Sequence, residues 1–156
     1  MTGPQLIEGE VSARGRKIAV VAARFNDFIV SSLMKGASAA WLEHGGVPAD
    51  LTLVRVPGAF ELPVAARRLA AGGRYDAVVA LGCVIRGDTP HFDYVAGECA
   101  RGLQLASLET GVPIAFGVLT VESLEQALER AATSAGNKGG EAMECALEMA
   151  GLMARL

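Results

Sequence analysis

Four short apolar runs, separated by stretches with helical periodicity, constrain the fold of this chain more than any other feature. They cover residues 17–23, 51–56, 77–85 and 113–119. Three are rich in valine or isoleucine, the composition of strands buried on both faces of a parallel sheet. Between the runs, residues 30–44 read as a helix that stops at Gly45-Gly46, and residues 60–70 as one that stops at Gly72-Gly73. Glycine just past the last turn is a common helix stop. Phe92, Val95, Ala96, Cys99, Leu103 and Ala106 recur at helical spacing in a third. Strands alternating with helices build right-handed βαβ units. The expected fold class is α/β, with three layers around a central four-stranded parallel sheet.

A chain of 156 residues is long enough for one domain with its own core and hardly long enough for two. Residues 1–156 are read as a single domain of flavodoxin-like type, with residues 1–14 as an N-terminal extension. Apolar residues make up 51% and charged residues 20%, which excludes a disordered chain. A net charge of -3 lacks the basic surplus of a nucleic-acid binder. Cys83, Cys99 and Cys145 are odd in number and widely spaced, so neither a disulfide framework nor a structural zinc site is expected. His44 and His91 do not form a metal-ligand pair at helical spacing. Residues 1–15 lack the apolar stretch of a signal peptide, and no run is long enough to span a membrane. A cytoplasmic protein that binds neither membrane nor nucleic acid is the expectation.

Residues 140–155 read as a helix with Glu141, Glu144, Glu148 and Arg155 along one stripe. Met143, Ala146, Leu147, Met149, Leu152 and Met153 occupy most of the rest. Docking on its own sheet explains part of that pattern, and a second copy of the chain is the expected cover for the remainder. Residues 7–13 are a candidate edge strand for the sheet of a neighbouring subunit.

Ligands of open α/β sheets bind beyond the carboxyl ends of the strands, so the residues after each run carry the functional reading. After the first come Phe25, able to stack on a planar ring, and Asn26, able to donate and accept. Taken alone, this turn favours a local role, Phe25 in the core and Asn26-Asp27 as a helix cap. After the second come Gly58, Ala59, Phe60 and Glu61. Gly58 admits a close backbone approach, and backbone N–H groups at the helix start are free to donate. Glu61 either accepts from ligand hydroxyls or serves the dipole of its own helix.

The turn after the third run is the richest. Thr89 reads as an N-cap and Pro90 as the first helical residue, so Gly87, Asp88 and Thr89 present N–H groups to an anion. His91 falls in the first helical turn, where the dipole favours the neutral ring that a general base needs. After the fourth run, Phe116 offers a second aromatic surface. Arg130 and Lys138, the latter in Gly136-Asn137-Lys138-Gly139, are either phosphate ligands or solvated surface charges. No GxxxxGK[ST] loop, GxGxxG fingerprint or GxSxG elbow is present.

Taken together, Phe25-Asn26, Gly58-Ala59-Phe60-Glu61, Gly87 through Val95, Phe116 through Thr120, and Arg130 through Gly139 resemble the motifs of the lumazine synthase family, in order and spacing. The resemblance runs from about Lys17 to the C-terminus. It implies condensation of 5-amino-6-ribitylamino-2,4(1H,3H)-pyrimidinedione with 3,4-dihydroxy-2-butanone 4-phosphate, without cofactor or metal. It implies that Phe25 stacks on the pyrimidine, and that Asn26, Ala59, Glu61 and backbone groups of Cys83, Val84 and Ile85 hold that substrate. Asp88, Thr89 and Arg130 would hold the phosphate, Asp88 through its N–H with the carboxylate turned away. His91 would shuttle protons, and Phe116 and Lys138 would complete the pocket, with Phe116 and Arg130 arriving from a neighbouring subunit.

The resemblance also implies a homopentamer, association with riboflavin synthase, and, in some members, a 60-subunit icosahedral shell. Shell-forming members carry a Gly-Thr-Lys-Ala-Gly turn, which here reads Ala132-Thr133-Ser134-Ala135-Gly136 with the same length. Two other functions stay open from sequence. A flavin-binding carrier would want a Ser/Thr-rich loop after the first strand, where Arg24-Phe25-Asn26-Asp27 stands. A shell-forming paralogue with weak catalysis would not need His91, Arg130 and Lys138.

Overall fold

The computed structural model describes residues 3–133 and 136–156. Ser134 and Ala135 of the turn compared with shell-forming members lie outside the described residues. Four parallel strands, β1 (Ile18–Ala23), β2 (Leu51–Val56), β3 (Ala77–Ile85) and β4 (Ile114–Val121), form a sheet of order β2-β1-β3-β4. The helices are α1 (Asp27–Glu43), α2 (Leu62–Ala71), α3 (His91–Thr110), α4 (Leu124–Arg130) and α5 (Lys138–Met153).

β1 and β3 are central and almost wholly buried, which is why their sequences are nearly unbroken apolar runs. Alternate residues of each strand feed two cores. Ile18, Val20, Val79 and Leu81 pack with Leu33 and Trp41 of α1, Ala127 of α4, and Met143 and Leu147 of α5. Val21, Val78, Ala80 and Val84 pack with Leu62 and Ala66 of α2 and Cys99 and Leu103 of α3. The fold is the expected three-layer α/β sandwich with a four-stranded parallel sheet.

Several boundaries differ from the sequence reading. α1 begins at Asp27, three residues before the predicted start, because Asn26 turns the chain sharply at the end of β1. β4 continues to Val121, paired with β3 through Ile85. α4 is an unpredicted helix. Its signal is local: the Ser123 hydroxyl accepts from the Gln126 N–H at 3.2 Å, and Gln126 accepts from the Glu122 N–H at 2.8 Å.

Residues 7–13 form no strand in the single chain. They lie extended along α5, where Gly9 and Gly151 let the two backbones meet. Arg155 donates to the Glu8 carbonyl and the Ala13 N–H to the His44 carbonyl. α5 is buried through Ala142, Met143, Ala146, Leu147 and Ala150, while Met153 remains 43% exposed. His44 at the end of α1 lies 2.8 Å from Glu144 of α5. Among the described residues, no helix is long and apolar enough to cross a membrane.

Candidate active site

From β1 the chain winds first to β2 and then back across to β3, so the winding reverses between β1 and β3. Strand ends at such a reversal splay their following turns apart and leave a crevice. Here the crevice is a cleft of about 750 Å³ at the carboxyl ends of β1, β2 and β3. Phe25 and Asn26, Gly58 to Glu61, Cys83 to Ile85, Gly87, Thr89 and His91 line it, together with Phe92, Tyr94 and Val95 of α3.

Phe25 is 72% exposed and Phe60 59%, so neither is a core residue. Asn26 adopts φ 62 and ψ 44, the single left-handed non-glycine residue among those described. Asparagine is one of the few side chains that visits this conformation readily. Its side chain does not cap α1; the amide donates instead to the Cys83 carbonyl at 2.8 Å, bridging the two strands at the reversal.

Behind this turn, Arg55 of β2 donates to the carbonyls of Ala22 and Ala23 at 3.3 and 3.2 Å. It also meets Asp27 at 2.7 Å, and that hydrogen bond holds the Asp27 carboxyl below its ordinary value. The Cys83 thiol is pushed up to about 11 by burial, so it is protonated and poorly nucleophilic near neutral pH.

Glu61 closes a short 3₁₀ turn, Ala59–Glu61, and its Oε1 accepts from the Gly58 N–H at 2.9 Å. The Gly58 N–H is therefore occupied by Glu61. α3 begins at His91 rather than Pro90, although the Thr89 hydroxyl accepts from the His91 N–H at 3.4 Å. Asp88 is exposed and does not line the cleft. Arg86 braces this turn. Its guanidinium lies 4.4 Å from the Phe92 ring centre and pairs with Asp93 at 3.3 Å and Glu122 at 2.9 Å.

Among the described residues, no lysine or arginine lines this cleft. The cations predicted for it stand elsewhere. A second cleft, of about 470 Å³, runs along β4, the edge strand, and contains Phe116, Arg130 and Lys138. Phe116 is 47% exposed. Arg130 ends α4 and donates to the Gln126 carbonyl at 3.0 Å. Lys138 opens α5 and lies 3.2 Å from Glu141. Exposed pairs of this kind hold their partners weakly, so both cations can turn to a stronger anion. The structure thus brings together the predicted residues from the first three strand ends other than Asp88, and sets Phe116, Arg130 and Lys138 apart. Among the described residues, no group of three or more His, Cys, Asp or Glu side chains could hold a metal ion.

The family model for 6,7-dimethyl-8-ribityllumazine synthase matches residues 15–154. The chain belongs to the lumazine synthase family. It is a transferase of riboflavin biosynthesis, and the extension at residues 1–14 lies outside the match. In this lumazine synthase the sequence reading missed Arg55 and Arg86, which touch the turns rather than the cleft. The one sequence signal for Arg55 is a lone charge inside an apolar strand run; Arg86 directly follows such a run.

Proposed function

We propose that the chain condenses 5-amino-6-ribitylamino-2,4(1H,3H)-pyrimidinedione with 3,4-dihydroxy-2-butanone 4-phosphate to give 6,7-dimethyl-8-ribityllumazine, phosphate and water. The first cleft receives the pyrimidinedione. Phe25 stacks on its ring, and Glu61, Asn26, Ala59 and the backbone of residues 83–85 face its polar edge and ribityl chain. Gly58, Phe60 and Val84 shape the wall. The Gly87–Thr89 turn precedes the start of α3, whose N-terminal N–H groups favour the phosphate of the second substrate.

The amine attacks the ketone and forms an imine with loss of water. Phosphate then leaves, and after tautomerisation the ribitylamino nitrogen attacks the remaining carbonyl and the ring closes with loss of a second water. His91, at the cleft and on the first residue of α3, moves the protons. Neither redox change nor hydride transfer occurs, so positioning two reactants supplies much of the acceleration.

The observation that carries this reading is the division of charge. The first cleft fits a neutral, planar, hydroxylated ligand but holds no cation for a phosphate. Half-buried Arg130 and exposed Lys138 stand beside an aromatic ring on a different face of the same chain. A second copy that lays its β4 cleft against the first cleft completes the site, as in a closed ring of subunits. The working unit is then a homo-oligomer, a pentamer by the family resemblance.

Steady-state formation of the fluorescent lumazine, saturable in both substrates, is the expected result for purified protein. No rate above the uncatalysed background from a folded oligomer would favour a carrier or scaffold. Mixing His91→Ala and Arg130→Ala chains tests the shared site. Reassembled mixtures should regain activity, since roughly a quarter of the interfaces then carry both intact residues. Activity that stays at the level of the separate variants would sink the two-chain site.

A further inference from the structure

Asn137 lies between the two cations assigned above, and its hydrogen bonds reach three elements. Its Oδ1 accepts from the N–H groups of Gly139 and Gly140 at 2.8 and 3.0 Å, which caps α5 one residue before Lys138. Its Nδ2 donates to the Ala131 carbonyl at 3.1 Å, one residue after Arg130, and to the Ser32 carbonyl of α1 at 3.0 Å. The capping bonds alone would be met by any good N-cap residue. The two donated bonds are different: they fix the end of α4 and the start of α5 to one point on α1. Space for them is reserved, since a Cβ on Gly36 would fall 2.0 Å from Asn137 Oδ1 and one on Gly139 would fall 2.0 Å from the Leu33 carbonyl oxygen.

We propose that Asn137 is a positioning residue for the phosphorylated substrate, holding Arg130 and Lys138 at a fixed separation so that both reach one anion. The proposal rests on the phosphate role given to those two cations under the proposed function. Their carboxylate neighbours are exposed, and Arg130 is otherwise held only by the Gln126 carbonyl of its own helix, so the spacing of their backbones decides whether they act as a pair.

Two substitutions separate the tie from the cap. Asn137→Asp keeps an acceptor for Gly139 and Gly140 but turns a carboxylate oxygen toward two carbonyls. Asn137→Ser keeps a good N-cap and removes the long donor. In each assembled enzyme, the KM for the phosphorylated substrate and the inhibition constant of inorganic phosphate should rise together, on the order of tenfold. The KM for the pyrimidinedione and kcat should change much less. Arg130→Ala is measured beside them. If it raises both phosphate constants while the two Asn137 variants leave them unchanged, Asn137 is a helix cap only and the proposal is overturned. A fall in kcat with both phosphate constants unchanged overturns it equally. If Arg130→Ala also leaves both constants unchanged, the phosphate reading itself has failed and the positioning role falls with it.

Discussion

The cleft at the ends of β1, β2 and β3 and the cleft along β4 belong to the same sheet, but their surroundings differ. The first lies on a sheet reversal, and its turns are braced from behind by Asn26, Arg55 and Arg86. It is mostly apolar and aromatic and lacks a cation. The second runs along an unpaired sheet edge and carries two cations whose carboxylate neighbours are exposed. Its bracing comes from the backbone-to-backbone approach of α1 and α5, with Asn137 between them. A pocket that must discriminate a ring and polyol gains from fixed walls. A charged patch that must meet another chain gains from exposure. On the proposed function, the contrast is between two unlike halves of one site carried by each chain.

The largest expected effect falls in the first cleft. His91→Ala should slow turnover by about a hundredfold or more without abolishing it, since positioning remains. Complete loss from a folded oligomer would mean that the proton transfer carries more than this comparison allows. Next is a contrast in packing. Gly139→Ala should destabilise the protein by roughly 1–3 kcal/mol, because the new Cβ meets the Leu33 carbonyl and overrides the helix preference of alanine. Gly87→Ala, with nothing within 4 Å of its Cβ, should stay within about 0.5 kcal/mol. Denaturant midpoints read both, and equal values would erase the difference in bracing.

Smaller, and aimed at the division of labour, are the Michaelis constants. Phe25→Ala should raise the KM for the pyrimidinedione about tenfold and Arg130→Ala that for the phosphate substrate by a similar factor, each sparing the other. Cross-effects of equal size would show that the halves are not separable. The smallest effect concerns the thiols. Burial pushes Cys83 and Cys99 from 9.0 up to about 11, whereas Cys145 is exposed on the second cleft. A thiol reagent near neutral pH should leave Cys83 and Cys99 intact, and should modify Cys145 only as far as the neighbouring chain leaves the second cleft open. Between 9.0 and about 11 the folded chain keeps protons that the unfolded chain releases, so stability should decline as pH rises through that range. Rapid labelling of Cys83 in the native protein would show that the wall of the first cleft opens.

Much of the fold was legible because burial writes itself into local sequence. The four apolar runs lie within two residues of the strands, and β1 and β3 could hardly be anything else once both faces are covered. The site was legible in part for a similar reason: turns after parallel strands are short, so Phe25, Glu61 and His91 were bound to fall at one end of the sheet. Less visible was α4, whose seven residues bury only Ala127 and leave little periodicity to detect. The left-handed turn at Asn26 was hidden too, because the partner that holds it, the Cys83 carbonyl, is 57 positions away.

By itself, then, the sequence determined the layers, the parallel strands and the set of turns that follow them. Each of these depends on periodicity and on residues a few places apart. Only the tertiary structure decided which of those turns share a cleft. It showed that Glu61 already serves Gly58, that Asp88 stays out of the lining, and that Phe116, Arg130 and Lys138 stand on another face. The physical reason is that cleft membership follows from strand order and helix packing. The contacts that set these, such as the one between Asn137 and Ser32, join residues 105 places apart and leave no pattern in either neighbourhood.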